Sequence, residues 1–470
     1  LRRAVIAVGL LVLVATLAGL PARAGRGSQT VADEPEYLLT AGALFQHGSL
    51  DVSRAVRAET WKPYHQADLP SQSAVRADGS QLSPHDPLLP VVLAIPMGLG
   101  GWVAAKATLA LLAAALAGLL VWTAVIRFEV PVTVAAVVVA AFGVVPPLVS
   151  YGTQVYPELP AALVVTAAVA ALAGPLGRSG RWGALAAVVA LPWLAVKYAP
   201  VAVAFAAVLG WMVWRRGQRR DVAWLAGAAA VVGVAFLAFH RVVYGGWTVY
   251  AAGDHFTGGE LTVVGAAPDY PARSIRLVGL LVDHDFGLLA WAPAYLLVIP
   301  ALAALVRRRP PGAAVLALPL AAGWLNATYV ALTMAGWWWP GRQVVVVLPL
   351  AVLAVAWWAG TVVDWARVRG PLVVASVVGV VTWAWIVVRV VTSADGLIVD
   401  FAQIAGPVSA AWRLLLPDDR VLAPIDLARY SAWVLALAAL ATWGWHTAAP
   451  APRPLLFSDP LTHTPERVLS

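Results

Sequence analysis

The chain contains no cysteine. That excludes disulfides, a thiolate metal site and a cysteine nucleophile. Charge is also scarce. Charged residues are 12% of the 470 positions, against about 25% in a typical soluble protein. Hydrophobic residues reach 61%, more than a soluble core can hide. Apolar runs of roughly 20 residues recur along the whole length, each long enough to cross a bilayer as a helix. Backbone groups inside lipid must be satisfied internally, so only helices or a closed barrel can span it. The runs lack the alternation of a barrel strand, which leaves helices. No repeat of fixed period and no low-complexity linker interrupts them. Lysine is nearly absent, and the Ala-, Val-, Gly- and Arg-rich composition points to a high-GC bacterium.

The charge that is present carries the topology. The net charge is +8, but the arginines sit in short clusters between apolar runs, as in cytoplasmic loops. They imply no nucleic-acid partner. Most of the 23 tryptophans stand at the ends of apolar runs, where an interfacial belt places them. The expected order is as follows. Residues 4–20 form a retained first helix, although "PARA" after it resembles a signal-peptide cleavage site. Residues 21–102 form the first extracytoplasmic loop, ending in a short segment broken by prolines and glycines. Spans follow at 103–126, 130–148 and 159–174. Residues 182–214 lie between two basic clusters and must cross twice, hinged near "LPWLAVKY". Six more spans reach residue 447, and 448–470 is a polar cytoplasmic tail. The fold class is therefore all-α: a polytopic transmembrane bundle of about twelve spans, residues 1–447, with juxtamembrane helices in its first extracytoplasmic loop.

That first loop holds the stretch "VADEPEYLLTAGALF", with the carboxylates Asp33, Glu34 and Glu36 crowded around Pro35. Pro35 suits a first helical turn, and Asp33 or Glu34 can cap it. Tyr37, Leu38, Ala41, Leu44 and Phe45 then form an apolar stripe, as in a helix lying flat on a membrane. Four other external loops carry groups able to converge above the bundle. They are Glu158 in "YPELP", Lys197, "GDHFTGGE", and Arg342 in "WWWPGR". A carboxylate beside cations at a lipid–water interface suits transfer from a lipid phosphate. The carboxylate takes a proton from an acceptor hydroxyl, and the cations stabilise the departing phosphate.

Each residue also has a purely structural reading. Asp33 serves as a helix cap, and Glu158 as an acid at a helix start. Lys197 snorkels to the interface, and Arg342 anchors there. His85 either caps the segment after it or binds phosphate or a metal. Asp254 and His255 are metal-ligand types, but two residues do not make a site. Arg276 and Asp283 read as solvated charges.

In this order the motifs resemble the GT-C superfamily of polytopic glycosyltransferases, near the protein O-mannosyltransferases and the aminoarabinose lipid A transferases. The resemblance rests on the Asp33-Glu34 pair, on "SPHDPLLPVVLAIP" closing the first loop, on Glu158 in the second loop, and on Gly341-Arg342 before a late helix. It covers the first 200 residues best. Glu158 stands where an aspartate is commoner, and His85-Asp86-Pro87 departs from the usual doubled proline. The resemblance implies an inverting transfer from a polyprenyl-phosphate sugar to an acceptor hydroxyl. The acceptor would be a cell-envelope glycan, glycolipid or protein. Catalysis would take place on the extracytoplasmic side of the inner membrane. Asp33 would be the general base, with Glu34 and Glu158 supporting it. Lys197, Arg342 and His85 would hold the donor phosphate. No cofactor is specified, and a divalent metal is compatible with these residues. The alternatives are a flippase for a lipid-linked sugar and a non-catalytic envelope-assembly protein.

Overall fold

The computed structural model describes residues 1–69, 72–254, 256 and 258–448. Of the expected tail, only Ala448 falls within them. Among the described residues the chain is all helical, and its few backbone bridges are isolated. Most expected spans fall on a helix, but 286–306 divides into Leu288–Trp291, a 3₁₀ turn Pro293–Leu297 and the helix Val298–Arg308. Seven helices are long and apolar enough to cross a membrane. Others are cut short by proline or glycine. Val132–Gly143 runs only 12 residues between Pro131 and the Pro146–Pro147 pair. At ~1.5 Å per residue it is well short of the ~30 Å hydrocarbon core. Length alone therefore yields fewer crossings than the twelve expected.

The centre of the bundle is Leu88–Phe128, broken at Gly101, whose φ of 64° and ψ of −161° no helix can hold. This break divides the short loop-closing segment from the span after it, as the glycines there imply. Arg2–Leu17, Glu34–His47 and Glu158–Leu172 pack on this helix. Leu348–Thr361 is apolar on all sides and almost wholly buried. The reverse holds for Arg219–Val243 and Pro424–Thr447, whose apolar faces are mostly exposed. An all-round apolar helix with an open flank is a lipid-facing one. The chain is an integral membrane protein.

The two ends of the bundle differ in chemistry. At one end the arginine-bearing loops hold each other. Arg127 donates to the Ala170 carbonyl at 2.8 Å, Arg216 to Pro175 at 3.2 Å and Arg308 to Thr361 at 3.1 Å. Arg181 pairs with Asp221 there. These bonds satisfy carbonyls that helix ends leave without partners. The acidic first loop, Glu158, Lys197 and Arg342 gather elsewhere, in a cluster of their own.

The helix Glu34–His47 departs from the surface-lying one expected. Its first two turns are buried, Tyr37, Leu38 and Ala41 with them, and only Phe45 of the stripe is exposed. The stripe packs into the bundle because the Leu88–Phe128 helix lies beside it. Asp283 is also buried rather than solvated. It accepts N–H bonds from Asp285, Phe286 and Asp419. Arg276 donates to the carbonyl of Ala331 at 2.8 Å.

Candidate active site

Asp33 occupies the position before the helix Glu34–His47, yet its side chain makes no capping bond. Its carboxylate turns to Arg342, whose Nη2 donates to Asp33 Oδ2 at 2.6 Å. The same guanidinium donates through Nε to Glu158 Oε1 at 2.9 Å. Lys197 Nζ donates to that same oxygen at 2.7 Å. Four of the six residues singled out in the sequence thus form one chain: Asp33, Arg342, Glu158, Lys197. Two carboxylates and two cations balance. The other Glu158 oxygen is buried without a hydrogen-bond partner.

Local structure aims each member. Glu158 opens its helix behind Pro157, and its side chain is fully buried. Lys197 lies in a short 3₁₀ turn, Val196–Tyr198, between Arg178–Leu194 and Ala199–Arg215. This is the hinge expected at "LPWLAVKY". Arg342 begins another 3₁₀ turn, after Gly341 at φ 84°. A Cβ on Gly341 would come 2.9 Å from Leu288 and 3.1 Å from Pro147, so both the backbone angle and the space require glycine. The guanidinium lies 4.1 Å from the Tyr156 ring and 4.8 Å from Trp338. Stacking of this kind holds a planar cation in place.

His85 stands beside the cluster. Its ring stacks on Tyr37 at 4.6 Å, and its Nε2 donates to the Gln72 side-chain oxygen at 2.9 Å. Burial, assisted by Arg342 and Lys197, depresses it to about 4 although Asp33 pulls the other way. His85 is therefore neutral at neutral pH. Burial also opposes ionisation of Asp33, but Arg342 and His85 outweigh it and hold the carboxyl at about 2.

Glu34 does not join the cluster. It points the other way, accepting the Val155 N–H at 2.9 Å and the Val31 N–H at 3.2 Å. The buried Lys106 ammonium lies 3.8 Å from it and donates to the Gln29 carbonyl at 2.6 Å. Glu34 ties the first loop to the second. Burial raises its pKa despite Lys106.

Several partners escaped the sequence reading. Lys106 lay inside an apolar span, where a lone lysine was the available signal. Tyr156, Trp338 and Asn326 carried none. Asp254 meets the first loop through its own N–H, which donates to the Gln72 carbonyl at 3.2 Å. Glu260 accepts from the Trp247 and Thr248 backbone and holds its loop. His255 lies outside the described residues. Among the described residues no group of three or more His, Asp or Glu is placed to hold a metal ion.

No protein-family model matches the chain, and no curated protein matches it. Among solved structures, the crystal structure of ArnT from Cupriavidus metallidurans bound to undecaprenyl phosphate aligns with a TM-score of 0.50. The alignment covers 93% of this chain and 77% of that one, at 15% identity. The fold is the GT-C fold. The apo structure of the same ArnT aligns with a TM-score of 0.49 at 16% identity, over 93% and 76% of the two chains. The GT-C likeness spans nearly the whole chain, well beyond the first 200 residues where the motifs lie.

Proposed function

We propose that this chain is a glycosyltransferase of the extracytoplasmic face of the inner membrane, residues 1–447 forming one catalytic transmembrane domain. It moves a sugar from a polyprenyl-phosphate donor to a hydroxyl of a cell-envelope glycan, glycolipid or protein. The observation that carries this reading is the Asp33–Arg342–Glu158–Lys197 chain of ion pairs. The undecaprenyl phosphate bound in the ArnT crystal structure supports a lipid donor of this type.

The chemistry follows from the charges. Arg342 and Lys197 are already neutralised by Asp33 and Glu158. A donor phosphate competes for the same cations. When Arg342 turns to the phosphate, Asp33 loses the partner that holds its pKa near 2, and its basicity rises. The base is then armed only when donor is present. Asp33 takes the proton of the acceptor hydroxyl. That oxygen bonds to the anomeric carbon from the face opposite the phosphate. The bond from carbon to phosphate oxygen breaks, and the electron pair leaves with polyprenyl phosphate. Configuration inverts. Lys197 and Arg342 bear the charge that develops on the leaving group. Glu158 keeps both cations in register, and neutral His85, its one N–H given to Gln72, stands beside them without adding charge.

The test is a transfer assay in liposomes with radiolabelled polyprenyl-phosphate sugars and envelope extract. Wild type should move label to an acceptor, and Asp33→Asn should not. Label that crosses the bilayer without changing partner would make the chain a flippase for lipid-linked sugars instead.

A further inference from the structure

The site described so far leaves one buried ionisable pair unused. Asp86 and His240 are each almost wholly inaccessible, at 3% and 0% exposure. Asp86 belongs to the first loop, just before Leu88–Phe128. His240 lies near the end of Arg219–Val243, the helix most open to lipid. The His240 ring is enclosed by Trp193, Phe236, Phe239 and Tyr244, with centroids 4.0–5.7 Å away.

The hydrogen-bond roles can be assigned from the geometry. His240 Nδ1 lies 2.7 Å from the Phe236 carbonyl. A carbonyl only accepts, so Nδ1 carries a proton. Nε2 faces Asp86 Oδ1 at 3.5 Å. Neither of these two buried atoms has a hydrogen-bond partner. The other carboxyl oxygen, Oδ2, accepts the Val196 N–H at 2.8 Å. Val196 opens the turn that carries Lys197. On its far side, Asn326 donates to the Lys197 carbonyl at 3.1 Å.

We propose that Asp86, braced by His240, is a positioning residue that sets the hinge of Lys197 and so aims its ammonium at Glu158 and the donor phosphate. The phosphate part rests on the function proposed above; the hinge part does not. What the hinge needs from position 86 is an acceptor for the Val196 N–H. A negative charge is not required. Asparagine meets that need with its amide oxygen. Alanine does not.

The chain has three lysines: Lys62, Lys106 and Lys197. Each has a distinct environment, since the Lys62 side chain is 58% exposed, Lys106 3% and Lys197 24%. Amine acylation of the purified full chain, read per site by peptide mass spectrometry, therefore carries its own controls. Asp86→Ala should raise the Lys197 rate about tenfold, the scale of leaving one buried N–H without its acceptor. Lys62 and Lys106 should keep their rates, and Asp86→Asn should leave Lys197 as in wild type. An unchanged Lys197 rate in Asp86→Ala overturns the inference. So does an Asp86→Asn variant as reactive as Asp86→Ala, or a rise at Lys106 alongside Lys197, which would mark general loosening. In the transfer assay, Asp86→Ala should raise the donor KM and leave the acceptor KM alone. If wild type transfers no sugar, the proposed function falls, while the labelling result still decides the hinge.

Discussion

The Arg342 guanidinium bonds Asp33 at 2.6 Å and Glu158 at 2.9 Å, across 309 and 184 positions of sequence. One planar cation thus joins the first loop, the second loop and a late helix. Its two contacts use different nitrogens, which a lysine cannot imitate.

Arg342→Lys should therefore lose donor binding, although the charge is kept. Arg342→Gln should go further and lower the thermal midpoint as well. Removing one member of a buried ion pair costs about 3–5 kcal/mol. Thermal unfolding in detergent and binding of polyprenyl phosphate, measured on both variants, separate the two effects.

Asp33→Asn and Glu34→Gln should behave in opposite ways. Loss of a general base lowers turnover by about 10²–10⁴-fold. Asp33→Asn should show that loss with its fold intact, because an amide oxygen still accepts from Arg342. Glu34 accepts two backbone N–H groups with its two oxygens. Glutamine can satisfy only one, so Glu34→Gln should lower stability while the folded fraction keeps its turnover. Equal kinetic losses in both variants would place Glu34 in the reaction.

Gly341→Ala should cost about 1–2 kcal/mol for the left-handed backbone angle alone. The added methyl also meets Leu288 and Pro147. Pro147 cannot swing aside, so Arg342 would be displaced, and transfer should fall more steeply than stability. The comparison is between specific activity and thermal midpoint of the same preparation.

Glu36 is buried one turn after Asp33, and burial pushes its carboxyl up to about 7, despite help from Ser83. Its folded pKa lies above the ordinary 4.5, so the folded state binds more protons between those values. The stability it contributes is full below about 4.5 and is lost as pH rises through about 7. Glu36→Gln should match wild type at pH 5 and unfold at a higher temperature than wild type at pH 8. Thermal midpoints across that range test the sign. No gain at high pH would mean that the carboxylate is satisfied there.

Much of the architecture was legible in the sequence, because hydropathy and basic clusters act locally. A run of apolar residues must be helical in lipid wherever it sits, and an arginine cluster marks its own loop. The break at Gly101 and the hinge at Lys197 were readable for the same reason. The motif residues Asp33, Glu158, Lys197 and Arg342 could be picked out as charges at the ends of apolar runs. Their partners could not. Asp33 as a cap and Asp33 as an ionic partner of Arg342 are the same letters, and only the approach of the late helix chooses between them. Glu34 shares that helix start but faces Val155 and Lys106, since adjacent residues on a helix point in different directions. Lys106 stood out only as a lone lysine in an apolar span, and no local pattern named the partners that folding brought to it, to Asp86 or to His240. Sequence determined which segments enter the membrane and which charges stand at their ends. Tertiary packing decided which charge meets which, because a buried ion pair is set by geometry between segments remote in the chain.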